Sequence, residues 1–280
     1  RSTEKIISEL RGLDQRFPGE KKVYFEIETF GINLDWAMGL CAEIESLNRS
    51  LNKPFSFGAN LRITHNADYR NLFLACKKSN FKFINIGLES GSERIRSEIL
   101  RRNYSNIDIT ETVKLARHYG LKVAFFNLVG IPGETPEDFK ETINLNRICA
   151  PDWVMTSIFY PYPGTDFYSF CKKEGLIGDI LDTNMERSKA VIGLPCFPKK
   201  EVQKNYDWFY YNIYKDRRPL YDIWSALFIM KLRHWPFFFK LYKTIKRGTL
   251  YNSVKCIIMG ISGLFIKKEK VIIEDVELYL

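Results

Sequence analysis

Acids, small hydroxyls and glycines gather at three points of the sequence, each close behind an apolar run. Residues 83–94 read FINIGLESGSER. The apolar stretch ends in Glu89, Ser90 and Gly91, and Ser92 stands where a helix N-cap would be. A carboxylate at such a point can accept hydrogen bonds from ribose hydroxyls or an ammonium group. It can equally be a strand-end acid that caps the next helix, and the segment alone leaves both readings open. Residues 128–138 read LVGIPGETPED. Thr135 as N-cap, Pro136 at the first helical position and Asp138 three residues after the cap give capping-box spacing. That explains Thr135 and Pro136 but not Gly130 or Glu134. Gly130 and Gly133 let the backbone turn tightly or approach a flat ligand. Residues 160–168, YPYPGTDFY, leave a strand through two prolines and cap a helix with Thr165. A structural role dominates there, with aromatic rings available to wall a pocket.

Metal and nucleophile chemistry has less support. Cys41, Cys76, Cys149, Cys171, Cys196 and Cys256 are widely and irregularly spaced, without CxxC or CxxxCxxC, so they give no zinc or cluster site. A chain of this length can bury a core without disulfides, and buried thiols in a reducing compartment are expected. His65, His118 and His234 suggest neither a triad nor a metal site; His118, just before Gly120, reads as a cation at a helix C-terminus.

The elements that would position these segments alternate. Helices are expected near residues 3–17, 33–49, 67–79, 92–100, 107–119 and 136–149, and strands near 23–30, 55–63, 82–88, 122–129 and 153–160. Five strands alternating with helices predict a parallel sheet or barrel with helices outside, whose chemistry lies at the C-terminal strand ends. The residues just named fall at those ends, with Glu26, Glu28 and Thr29 at the first and Arg62 and Thr64 at the second.

These segments, in this order and at successive strand ends, resemble the radical S-adenosylmethionine (SAM) superfamily, especially members whose core follows a cobalamin-binding domain. The resemblance lies in GLESGS, GIPGET and PYPGT, with Leu100, Arg102, Tyr104 and Ser105 between the first two, and it covers roughly residues 1–170. It implies an α/β fold: a partial TIM-like barrel that here lacks its first strand, followed by a mainly helical C-terminal extension. It also implies SAM and a four-iron, four-sulfur cluster as cofactors, with cobalamin in the methyl-transferring members. The CxxxCxxC loop of the family follows the first strand, so both are expected upstream of Arg1, and no metal ligand is assigned within the chain. By the same resemblance Glu89 and Ser90 would meet the ribose or amino-acid end of SAM. Gly130, Ile131, Pro132, Gly133 and Glu134 would line the adenine, and Arg62 or Arg102 would pair with the SAM carboxylate, a bidentate task suited to guanidinium. Relatives often carry adjacent acids before Thr-Phe; here only Glu28 directly precedes Thr29, with Glu26 on the same strand face. Glu28 is the candidate for contact with SAM or substrate, a solvated acid being the alternative. No catalytic residue is named.

Function follows from the same resemblance: reductive cleavage of SAM and radical-based modification of a small-molecule or lipid-linked substrate, with methyl transfer in cobalamin-dependent members. Two other readings stay open, a non-catalytic degenerate barrel acting as a scaffold, and an ordinary TIM-like barrel enzyme with a phosphate-bearing substrate.

The sequence divides near residue 170 into the barrel-like part, 1–170, and a remainder, 171–280. Irregular residues 182–200 would cover the open side of the barrel, and an aromatic-rich helix is expected over 201–216. The net charge of +9 is concentrated late: residues 199–280 hold 16 basic and 8 acidic side chains. Within 217–268 there are 11 basic residues against Asp222, mixed with Trp224, Phe228, Trp235 and other large rings. That mixture fits a membrane-surface segment; a helical subdomain with a basic outer face and a nucleic-acid surface are the alternatives. The longest uncharged run in this segment, 256–266, falls short of the roughly 20 residues a membrane span needs. A cytoplasmic protein, peripheral at the inner membrane surface, is expected.

Overall fold

The computed structural model describes residues 1–19, 21–26, 30–178 and 186–233, with side chains as far as Phe228. Glu28, the 179–185 part of the covering segment and residues beyond 233 lie outside the described residues. Two units are distinguished, Arg1–Arg217 and a second beginning at Arg218.

In the first unit, apolar runs become five parallel strands: β1 (Lys22–Phe25), β2 (Ser56–Leu61), β3 (Phe81–Glu89), β4 (Lys122–Val129) and β5 (Trp153–Ile158). They pair in sequence order and curl into a half-barrel. Helices α1 (Thr3–Arg16), α2 (Leu34–Ser50), α3 (Arg70–Lys78), α4 (Asn106–His118) and α5 (Pro136–Cys149) alternate with them. The βα reading therefore holds, with some elements shorter than expected and β3 longer. The strand expected at 23–30 is described only to Phe25, and the helix expected at 67–79 begins at Arg70.

The core lies between sheet and helices. Ile84, Ile86 and Leu88 of β3 and Val123, Phe125 and Val129 of β4 are wholly buried. Strand alternation sends the intervening residues to the opposite, concave face. There Phe83 stands edge-on to Trp153 of β5, ring centroids 5.3 Å apart, and lies where a Cβ on Gly58 would be, 2.1 Å from that ring. Burying one such aromatic side chain contributes roughly 2–3 kcal/mol.

The helix starts follow their caps. Thr135 accepts from Asp138 N and Asp138 closes the capping box, as Ser105 and Asp108 do for α4. Thr165 caps α6 (Asp166–Lys173). Ser92 differs from the expectation: its hydroxyl donates to Asp138 Oδ1 at 2.7 Å, tying the β3 exit to α5. After α6 the chain is irregular through 186–198, where Leu194 and Phe197 are buried. The aromatic helix forms as α7 (Lys199–Tyr214). It packs on α5 through Phe209 and Phe139, centroids 5.5 Å apart. Four of the expected buried thiols, Cys41, Cys76, Cys149 and Cys171, are buried, whereas Cys196 is exposed. The second unit contributes α8 (Leu220–Arg233).

Candidate functional site

The C-terminal end of β3 is irregular. Gly87 stands opposite Phe126 and Glu89 opposite Asn127, so Leu88 is an extra residue and the strand bulges. Glu89 has φ of 58°, a left-handed conformation that costs a non-glycine residue about 1–2 kcal/mol. Ser90 N closes the tight turn on Leu88 O at 2.7 Å. The Glu89 carboxylate folds back over Gly87: a Cβ there would lie 2.8 Å from Glu89 Oε1.

Residues 100–105 complete this mouth. Arg102 Nη1 lies 3.4 Å from Glu89 Oε1 and donates to Gly87 O at 3.4 Å. The Tyr104 hydroxyl donates to the same carbonyl at 2.9 Å. Burial pushes the Tyr104 phenol up, and neighbouring Arg102 opposes it.

Beneath them a π-turn, Ile95–Ile99, carries Arg96, which is fully buried. Its guanidinium donates to Ser90 O at 2.6 Å, to Tyr104 O at 3.3 Å and to Asn106 Oδ1 at 2.6 Å. Its own carbonyl accepts Arg102 N at 2.7 Å. The nearest ion-pair partner, Glu93, is 3.9 Å away. One buried cation thus holds the residue after Glu89 and both ends of the segment that presents Arg102. Burial drives its pKa downward, and a guanidinium starts high enough to stay charged.

The next loop folds on itself. Glu134 Oε2 accepts Gly130 N at 2.6 Å and Ile131 N at 3.3 Å. Glu134 Oε1 is buried with no hydrogen-bond partner among the described residues. Burial pushes this carboxyl up to about 8, against the two backbone donors that favour its charge. Gly130 has φ of 79° and meets Val202 of α7, 2.9 Å from where a Cβ would stand. Among Gly130, Ile131, Pro132, Gly133 and Glu134 only Gly133 is exposed. Arg94 bridges this loop to the β3 exit, donating to Gly133 O at 2.9 Å and to Asp138 Oδ2 at 2.5 Å. Burial works against charge on Asp138, but Arg94, Ser92 and Thr135 together outweigh it and hold its carboxyl below the usual range.

A polar row crosses the concave face. Asn60 and Asn85 are paired in register. The Tyr24 hydroxyl donates to Asn60 Oδ1 and accepts from Asn85 Nδ2, the latter at 2.7 Å. Asn85 Oδ1 is buried and has no hydrogen-bond partner among the described residues. A buried carbonyl left unpaired is costly, and such atoms commonly mark a place for a water or a ligand group.

The expected site residues therefore part company. Glu89 and Arg102 come together. Ser90 is fully buried, its hydroxyl 3.4 Å from Thr142 Oγ1 of α5. Arg62 is exposed beyond β2, its carbonyl accepting from the Tyr69 hydroxyl at 3.3 Å. Sequence reasoning missed Tyr24, Asn60 and Asn85, whose signal was a polar side chain within otherwise apolar strands. It also missed Arg96, because a π-turn shifts the helical face and leaves no periodic trace.

Comparison with known proteins adds the family. The model of the radical SAM superfamily matches residues 1–145. An uncharacterised methyltransferase of Pyrococcus horikoshii is 25% identical over 203 residues, which are 72% of this chain and 42% of that protein. A tRNA-2-methylthio-N(6)-dimethylallyladenosine synthase of Baumannia cicadellinicola is 31% identical over 123 residues, 43% of this chain and 26% of that protein. The solved structure of the radical SAM methyltransferase TsrM from Kitasatospora setae, with cobalamin and a [4Fe-4S] cluster bound, is similar in fold with a TM-score of 0.55. It is 17% identical, with 74% of this chain and 41% of that chain covered. The chain thus spans about two fifths of the Pyrococcus relative's length. With the match over 1–145 and five parallel strands in sequential order, the chain belongs to the radical SAM superfamily, whose members use SAM and a [4Fe-4S] cluster.

Proposed function

We propose that these residues hold SAM at the C-terminal mouth of the half-barrel, as part of an enzyme that modifies a substrate lying on the concave face. The observation that carries this reading is the bulged end of β3, where Glu89 and Arg102 face each other above Gly87. Glu89 is the acceptor for the ribose hydroxyls. Arg102, still partly exposed, turns its guanidinium to the SAM carboxylate. The Gly130–Glu134 loop offers backbone beside the adenine. Gly87 lets the Glu89 carboxylate lie close over its backbone, 2.8 Å from where a Cβ would stand, and a carboxylate beside a guanidinium fits the hydroxyls and the carboxylate of SAM.

The residues present do not fit the iron–sulfur cluster. Among the described residues no group of three His, Cys, Asp or Glu side chains is placed to hold a metal ion, and the sequence has no CxxxCxxC. Its thiolates are proposed to come from outside these 280 residues. SAM, when bound, supplies the group or the radical equivalent that is transferred. The chain's own part is to orient it, to exclude water with the apolar wall of the half-barrel, and to floor the substrate with the Tyr24–Asn60–Asn85 row. The words methyltransferase and 2-methylthio in the names of these relatives support methyl or methylthio transfer. The GLESGS and GIPGET resemblance supports cobalamin as a second cofactor.

SAM binding measured by saturation-transfer NMR and calorimetry tests the reading. Glu89→Gln and Arg102→Met are each expected to weaken binding about tenfold, equivalent to ~1.4 kcal/mol, while the melting temperature stays near that of the wild type. Absence of SAM binding, or binding indifferent to both changes, would sink it and favour the scaffold reading.

A further inference from the structure

Asn85 carries a polar end that the fold leaves unused. It stands in β3 between Phe83 and Gly87 on the concave face and is 2% exposed, in a strand interior that disfavours asparagine. Its Nδ2 donates to the Tyr24 hydroxyl at 2.7 Å, and that hydroxyl gives its own proton to Asn60 Oδ1. A phenol has one proton to give, so Tyr24 meets Asn85 as an acceptor and holds the amide with Oδ1 turned away from it. That oxygen is buried and accepts from nothing among the described residues.

The surroundings of Asn85 give the missing partner a shape. Its register neighbour in β4 is Ala124, and the next residue along the same face is Gly87, so neither position sends a long side chain across it. Toward the strand starts, Phe83 and Trp153 meet edge to face and are buried. Toward the strand ends, Phe126 opposite Gly87 and Met155 opposite Phe126 are each partly exposed, as Gly87 is. Asn85 thus lies where the closed apolar floor gives way to the more open part of the face. An aromatic ring and a thioether offer a flat group apolar surface to lie on, and the amide oxygen meets its edge. A neutral N–H suits that oxygen better than an ammonium, since Asn85 brings no charge and burial penalises one. A hydroxyl would bring lone pairs of its own to be satisfied. We infer that Asn85 is a specificity-determining residue of the substrate site, selecting a planar group that presents a neutral ring or amide N–H to its Oδ1 while lying on Phe126 and Met155. This rests on the proposed role of the concave face as substrate floor and adds the chemical class of the group held there.

Saturation-transfer NMR of the 280-residue chain without SAM tests this with two probes, isoquinolone and isocoumarin. They are a lactam and a lactone of the same shape that differ by one N–H. The wild type is expected to bind isoquinolone about tenfold or more tightly than isocoumarin, and Asn85→Leu and Asn85→Ala should each remove the preference. The melting temperature of the free chain gives a second readout. Leucine leaves no unmet oxygen, so Asn85→Leu should raise it by about 2–4 °C, whereas an amide required by the fold would make the same change lower it. Equal binding of the two probes by the wild type, or binding of neither, would overturn the inference. So would a preference that survives both substitutions, or a melting temperature lowered by Asn85→Leu. SAM binding is measured separately on the same samples: its absence in the wild type would count against the proposed function, while the probe comparison still decides the role of Asn85.

Discussion

Replacing Glu134 by glutamine should remove a large part of the pH dependence of stability. Glu134 sits 1% exposed behind the Gly130–Gly133 loop, and its burial raises the carboxyl from 4.5 to about 8. The folded chain therefore keeps this proton up to about pH 8, whereas an unfolded chain releases it near 4.5. Between those values the folded state binds more protons, so this group's contribution falls as pH rises. The slope is about 1.4 kcal/mol per pH unit within the window, or roughly 4 kcal/mol from about pH 5 to about pH 8. Glutamine keeps an oxygen to accept from Gly130 and Ile131 and has no charge to desolvate. Urea denaturation of both proteins at several pH values across that window reads the difference directly. The variant should gain on the wild type steadily as pH rises. A difference that stays constant with pH would refute the reasoning and place an ionised carboxylate in the loop.

Two other perturbations probe how the mouth is held. Gly91→Ala would put a Cβ 2.5 Å from Glu141 O and Thr142 Cα of α5 and push away the Gly91 N bond to Thr142 Oγ1; a loss of about 2–3 kcal/mol is expected in chemical denaturation, and a loss under about 0.5 kcal/mol would show that the loop does not approach the helix so closely. Arg96→Met should speed amide hydrogen exchange in residues 88–92 and 100–106 while α2 and α3 keep their protection; uniform loss across the chain, or none, would show that Arg96 does not position the Glu89–Arg102 pair.

Much of the fold was legible because regular elements announce themselves by period. The βα alternation, the capping box at Thr135 and the Thr165 cap all rest on local chemistry that tertiary structure left undisturbed. Ser92 was misread for a physical reason. The spacing of a hydroxyl before a helix resembles a cap, but Asp138, far away in sequence, accepts the hydroxyl proton and turns the side chain toward α5. The pairing of Glu89 with Arg102 was half legible: both residues were singled out, but not that a bulge and two left-handed residues, Glu89 and Arg101, would bring them together. Nor could the sequence tell that the Ser90 side chain turns toward α5, since the bulge at Leu88 breaks the alternation that would have placed it.

Four irregular features of the first unit lie together at one strand end, and their grouping has an energetic meaning. A bulge, left-handed backbone at Glu89 and Arg101, a π-turn and a fully buried guanidinium all lie within residues 87–102. Each is unfavourable by itself: about 1–2 kcal/mol for a left-handed residue and several for a buried charge whose carboxylate, Glu93, stands 3.9 Å away. A leucine at 96 inside an ordinary helical turn would stabilise the free chain more cheaply. What Arg96 does that leucine cannot is to bind Ser90 O, Tyr104 O and Asn106 Oδ1 at once. Strain of this kind persists only where the surroundings over-determine it, and it gathers where a ligand must be met by groups already in place. Under the proposed SAM-binding role, stability given up around Arg96 sets the position of Glu89 and Arg102 beforehand, so that binding need not spend its own free energy on ordering them.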